Sequence, residues 1–276
     1  MDQDLQLDLF SQDQIMIREG LCALAGLDFV KAKAKFERVL SRWTSHPDAL
    51  NGLRMAVTWD AWLHEAEGLL SRDAAAALWW RIKANPIENG GEGLRRGLIR
   101  RAVAFIEEDR DFYLSPDVCL GRFLLELEAY GEAEAALTRL LERRPNNGRL
   151  WLCLGNCLFR QGKQSQARLA YARAFLVAPG EVERGEILDK ELLEAIANED
   201  NYVAALSGWL KDILPLIEVD GVIPLDQRHE KSILVYQAIR RAERARTNRD
   251  HEEMVEQRRF LKELDPAVLQ AYLERL

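Results

Sequence analysis

Four histidines, four cysteines and a short run of arginines are the residues with which this chain could do chemistry, and their spacing builds no catalytic set. His46, His64, His229 and His251 are scattered through polar stretches, where surface histidine is the simpler reading. "HEAEG" at 64–68 lacks the second histidine that a zinc-protease helix uses to put two ligands on one face. Cys153 and Cys157 are four apart and share a helix face, so together with Cys119 they raise the question of a metal. In apolar helical runs cysteine serves as a small hydrophobe, and no metal ligand, cofactor or catalytic residue is assigned. "GGEGLRRG" at 90–97 has neither a preceding strand nor a Walker lysine. It reads as a loop opening a helix, not as a phosphate cradle.

The arginines are harder to set aside. In "LRRGLIRR", Arg95, Arg96, Arg100 and Arg101 stand at i, i+1, i+5 and i+6, one basic flank of an amphipathic helix. Solvated charge accounts for such a flank; an acidic partner or nucleic acid is the alternative. The formal net charge of −7 over 276 residues argues against general affinity for a phosphate backbone, so nucleic acid is not the expected partner.

The elements that must position these residues are helical. Ala, Leu, Glu and Arg dominate, β-branched residues are sparse, and the hydrophobic share is 48% against 30% charged, a folded balance. No apolar run reaches the roughly 18 to 20 residues that span a bilayer. The start, "MDQDLQLDLFSQDQ", has no basic segment followed by an apolar one, as a secretory signal would. Cys22, Cys119, Cys153 and Cys157 all lie in apolar helical patterns, which suits reduced thiols in a cytoplasmic protein.

A period of 34 residues organises the middle of the chain. It relates Leu120 to Leu154, Gly121 to Gly155, Leu124 to Leu158, Ala133 to Ala167 and Pro145 to Pro179. Each unit, 114–147 and 148–181, holds two helical stretches with a proline where the second must stop. Glycine inside a buried helix costs about 1 kcal/mol relative to alanine, so Gly121 and Gly155 mark places where a neighbouring helix comes close.

The pattern carried by Trp151, Leu154, Gly155, Leu158, Gly162, Ala167, Tyr171, Ala174 and Pro179 resembles the tetratricopeptide repeat (TPR). The preceding unit is similar at Leu120, Gly121, Leu124, Ala133, Leu137, Leu140 and Pro145, with Asp117 in place of the tryptophan. Residues 13–47 look like a degenerate unit (Gly20, Ala32, Phe36, late Pro47), and 235–268 fit loosely, with Ala242 in the place of Gly155 and Arg249 in that of the turn glycine. Residues 49–113 do not fit; they concentrate Trp59, Trp62, Trp79 and Trp80. Residues 186–218 are helical but off-pattern, and "EVDGVIPLDQ" reads as a loop. The expected fold is all-α, an α-α superhelix (solenoid) of antiparallel hairpins. Its expected segments are a lead-in at 1–10, degenerate repeats with the Trp-rich stretch at 11–113, two regular repeats at 114–181, and off-pattern helices with a degenerate repeat at 182–276.

The resemblance implies a non-enzymatic scaffold whose concave groove, lined by the first helix of each hairpin, binds a peptide or protein segment. The positions that face the groove in the family are here Ser115, Val118, Arg122, Leu125 and Glu126, then Arg149, Leu152, Asn156, Phe159 and Arg160. Of these, Arg122, Leu125, Arg149, Asn156, Phe159 and Arg160 are the candidate partner-binding residues. Arginine offers paired donors to carboxylates and asparagine satisfies a peptide backbone, which suits an extended acidic or amphipathic segment. The positions of the chaperone-binding carboxylate clamp are Val118, Arg122, Cys153, Glu183 and Ile187; none is the Lys or Asn that ligand needs. Separately, Gln6, Leu7, Asp8, Leu9 and Phe10 resemble the short peptide by which bacterial proteins dock on the replication sliding clamp. The alternative function is therefore a clamp- or nucleic-acid-associated accessory protein. The same residues also suit a hydrophobic staple ahead of a helix capped by Ser11 and Gln14.

Overall fold

The computed structural model describes residues 2–87, 91–218 and 230–276; within it the side chains of 2–11 lie outside the description. The described residues form fourteen α-helices and one two-stranded hairpin, an all-α helical-repeat fold of the TPR kind. The chain divides into two compact units, 1–129 and 130–276.

The first unit runs α1 (Asp2–Ala25), α2 (Phe29–Leu40), α3 (Pro47–Glu67), α4 (Ser71–Ala84), α5 (Glu92–Phe105) and α6 (Leu120–Glu126). Before α6, β1 (Tyr113–Ser115) pairs antiparallel with β2 (Val118–Cys119). Helix α1 starts at Asp2, well ahead of the expected Ser11 cap, and neither proline nor glycine interrupts residues 2–19. α1, α2 and α3 pack in succession, but α5 also returns onto α1. The approach is close: a Cβ on Gly97 would stand 2.6 Å from the Ala25 carbonyl oxygen. That return contact is absent from a simple repeat array, in which each hairpin meets only its neighbours. The core of this unit is Phe36, Leu78, Trp79, Leu98, Phe112 and Phe123.

The second unit holds α7 (Tyr130–Arg143), α8 (Gly148–Arg160), α9 (Gln164–Val177), α10 (Lys190–Ala195), α11 (Asn201–Leu210), α12 (Lys231–Asn248), α13 (His251–Leu264) and α14 (Pro266–Arg275). α8 and α9 form the best-packed hairpin, α12 and α13 a second, and α9 also meets α11. Between α9 and α10 two 3-10 turns, Pro179–Glu181 and Arg184–Glu186, alternate with short non-helical stretches.

Four turns reveal the repeats more clearly than the side chains do. Leu27, Glu128, Gly162 and Arg249 all have positive φ, between 59° and 75°. Each lies seven residues after Gly20, Gly121, Gly155 or Ala242. The N–H of the next residue reaches back to a carbonyl five positions earlier: Asp28 to Ala23 at 2.9 Å, Ala129 to Leu124 at 3.0 Å, Lys163 to Leu158 at 3.0 Å, Asp250 to Ala245 at 2.8 Å. This is the Schellman close of a helix. Only one of the four has the glycine that the conformation favours, so the turn persists where its sequence signal is gone. The pairs α1–α2 and α12–α13 thus close as α8–α9 does, and the same turn also ends α11 at Asp212, where Ile213 N reaches Gly208 O at 2.9 Å.

Gly20 of α1 and Gly155 of α8 are packing sites. A Cβ on Gly155 would lie 2.5 Å from the Tyr171 ring, and one on Gly20 2.7 Å from the Phe36 ring. Both rings stand sixteen residues after their glycine and are fully buried. Residues 49–113 miss the sequence template because α3 is 21 residues long, which shifts the period. Its Gly52 nonetheless packs on the same Phe36 ring.

Candidate protein-interaction faces

In the second unit, α8 carries four of the six candidate residues. Its Asn147 N-cap accepts from Leu150 N at 2.8 Å, and its alternation of Leu and Cys buries one side against α7 and α9. Leu152 is buried there. Arg149 pairs with Glu183 and lies 3.5 Å from Glu186. Asn156, only 5% exposed, donates from Nδ2 to the Glu186 carbonyl at 2.9 Å. Its Oδ1 accepts from Tyr171 Oη at 2.8 Å and from Leu188 N at 3.3 Å.

The chemistry expected for a partner is therefore already exercised on the chain itself. Residues 183–188 lie against α8 as a strap that turns through the 3-10 segment Arg184–Glu186, with carboxylates held by Arg149 and backbone held by Asn156. Asn156 is not an open groove residue, since both ends of its amide face protein. The strap is anchored at both ends. Val182 and Ile187 are buried; Arg184 donates to Asn201 Oδ1 at 2.7 Å and to the Ile196 carbonyl at 2.9 Å. Beyond it, Arg168 holds buried Asp189 at 2.8 Å, and Asp189 caps α10 through Leu192 N. Burial pushes the Tyr171 phenol well above its ordinary value. Phe159, half-buried, and Arg160, exposed, lie at the free end of α8, past the strap.

In the first unit, the candidate residues sit on a helix shorter than expected. Ser115 and Val118 belong to the β-hairpin, and α6 spans only Leu120–Glu126. Leu125 is half-buried. Arg122 Nε is 3.9 Å from Glu126 Oε1. Glu126 also meets Lys83 of α4 at 3.0 Å and Arg95 of α5. Burial opposes its charge, but the hydrogen bonds and charges of Arg95 and Lys83 outweigh that and hold the carboxyl below its ordinary value. Lys83 carries no motif and was invisible to sequence reasoning. Arg96 bridges Glu92 at 3.2 Å and Glu128 at 3.1 Å, and Arg101 meets Glu67 at 2.7 Å. The arginine flank is thus largely neutralised within its own unit.

The remaining chemical candidates have structural places. Cys119, Cys153 and Cys157 are buried thiols; Cys157 Sγ approaches the Tyr130 carbonyl at 3.1 Å, and burial raises its pKa. Among the described residues, no three His, Cys, Asp or Glu side chains are placed to hold a metal ion. His64 and His251 are exposed, His46 precedes α3, and His229 lies outside the described residues. Trp59 and Trp79 are core residues; Trp59 meets Trp62 edge to face at 4.9 Å, and Trp79 packs on Phe123 at 4.6 Å. A cleft of about 340 Å³ beside Trp59 and Trp62 is rimmed by Asn51, Arg54 and Asn85 and contains no acid–base pair. The side chains of Gln6, Leu7, Leu9 and Phe10 lie outside the described residues, and their backbone belongs to α1. Among the described residues no helix is long and apolar enough to cross a membrane.

Residues 124–188 match the family described as tetratricopeptide repeat, a stretch well short of half the chain that includes α8, α9 and the strap. No curated protein and no solved structure matches the chain. That stretch is similar to tetratricopeptide repeats, which generally mediate protein–protein interaction.

Proposed function

We propose that this protein is a non-enzymatic scaffold that binds an extended acidic segment of a partner protein on the faces of its repeat helices. The observation that carries this reading is the strap at 183–188. Arg149 and Asn156 already bind carboxylate and backbone of a non-α-helical segment there, donor and acceptor chemistry that a peptide segment would also meet. The strap takes Arg149 and Asn156 for itself, so a partner in trans engages Phe159 and Arg160 at the end of α8.

Capture of a partner by the tagged protein from its native cell, with mass spectrometry, tests the reading. Phe159→Ala with Arg160→Glu should remove the specific partner while the thermal melt stays within a few degrees of wild type. An interaction profile unchanged by that pair of substitutions would overturn it.

A further inference from the structure

In the first unit, α3 and the chain leaving α4 enclose the cleft of about 340 Å³. Ligand sites run from roughly 300 to 1,000 Å³, so this one has room for a single compact ligand. Trp59, only 4% exposed, forms its apolar wall with Trp62 and Met55. The two indole rings stand 4.9 Å apart at 89°, a corner and not a parallel-sided slot for a planar base.

The polar rim is rich in donors. Arg54 is exposed and donates to Asn51 Oδ1 at 2.8 Å, its sole partner among the described residues. It pairs with no carboxylate there, whereas Arg95, Arg96 and Arg101 of α5 all meet glutamates. The bond to Arg54 also orients the Asn51 amide, with Nδ2 left as a donor. Asn85 closes α4: its backbone N–H and its Nδ2 both reach the Arg81 carbonyl, at 3.0 and 2.9 Å. Its Oδ1 remains an acceptor. No Asp or Glu is among the described residues that line the cleft.

We propose that this cleft binds the carboxylate of an N-acylated amino acid with a large apolar side chain, a chemistry shared by a free N-acyl amino acid and by the last residue of a peptide. The carboxylate takes donors from Arg54 and Asn51, the amide N–H donates to Asn85 Oδ1, and the side chain fills the Trp59–Trp62 corner. A phosphate monoester fits less well, since it carries nearly two charges against one arginine. The site goes beyond the scaffold reading and does not rest on it, for α3 and α4 lie outside the repeat match.

The test is calorimetric titration of the full chain with N-acetyl-L-phenylalanine, its methyl ester, and a Gly/Ser octapeptide ending in Phe with a free carboxylate. The acid should bind saturably and the ester about 10-fold more weakly or worse, as loss of a charged hydrogen bond requires. Arg54→Met should weaken the acid by a similar factor, and Arg54→Lys by less. Trp62→Leu should also weaken it; if that variant fails to fold, exposed Arg54 still decides the matter. Arg100→Met removes an exposed charge of α5 outside the cleft and should leave binding unchanged. Tighter binding of the octapeptide than of N-acetyl-L-phenylalanine assigns the site to a chain terminus, and the reverse order assigns it to a free acid. The site is overturned if neither acid binds saturably, if the ester binds as well as the acid, or if Arg54→Met and Arg100→Met behave alike.

Discussion

Two hairpins, α1–α2 in the first unit and α8–α9 in the second, are built alike and then lead the chain in different directions. Each closes with a left-handed residue and a Schellman turn, at Leu27 and at Gly162. Each packs a glycine of its first helix onto a ring sixteen residues later, Gly20 on Phe36 and Gly155 on Tyr171. Phe36 has no polar handle, and its other neighbour is Gly52 of α3, so another helix follows. Tyr171 has a hydroxyl, which is wired to Asn156 and through it to the backbone at 186–188. Where the first hairpin is followed by a long helix, the second is followed by a strap of two 3-10 turns. The lesson is that two hairpins with the same close and the same glycine–ring contact differ in what the chain lays against them, and the polar reach of Tyr171 and Asn156 marks that difference.

The largest effect should come from the ring itself. Phe36→Ala, which empties the space between two helices, should cost about 3–5 kcal/mol in chemical denaturation; a loss under 1 kcal/mol would show that Phe36 does not join α1 to α3. Next is Gly155→Ala. The added methyl meets the Tyr171 ring at 2.5 Å, so overpacking of about 1–3 kcal/mol should outweigh the roughly 1 kcal/mol gained in helix propensity. A stabilised variant would mean the ring moves aside freely.

Tyr171→Phe makes the second hairpin resemble the first and should cost about 1 kcal/mol, the net worth of a buried hydrogen bond. Amide exchange at Leu188 should quicken, while exchange in α2 stays unchanged. The same substitution has a pH signature. The folded-state phenol is raised, so the neutral form is favoured on folding. Its contribution is complete below the ordinary phenol value of about 10 and is lost as pH climbs beyond it. The alkaline fall in stability should therefore be shallower in Tyr171→Phe than in wild type, and an identical fall would deny the burial of that hydroxyl. The smallest effect belongs to the turns: Arg249→Gly should stabilise by up to about 1 kcal/mol, because glycine adopts φ near 59° without the Cβ penalty. Gly162→Ala should lose a similar amount, and equal melts for the two variants would break the equivalence of the turns.

Much of the hairpin was legible in the residues. Gly155, Ala167 and Tyr171 mark close approach and core by type and spacing, and Gly20, Ala32 and Phe36 repeat that logic, because helix packing is a local consequence of side-chain size. Other features were not legible. The β-hairpin at 113–119 replaces the first turns of an expected helix. Arg249 hides a turn that glycine would have announced. Lys83 and Glu126 are 43 residues apart, and no spacing rule pairs residues across two intervening elements.

The candidate site divides in the same way. Arg149 and Asn156 were readable as residues suited to holding carboxylate and backbone, since that follows from the donors and acceptors each side chain carries. Which chain they hold was not readable. The sequence by itself determined the helices, the 34-residue period and the glycine–ring contacts, because these depend on neighbours within one hairpin. Only the tertiary structure decided that the strap at 183–188 occupies α8 and that three helices deliver their cations to Glu126. Those contacts depend on where loops bring distant segments, and charge pairs have no periodicity by which a sequence can foretell them.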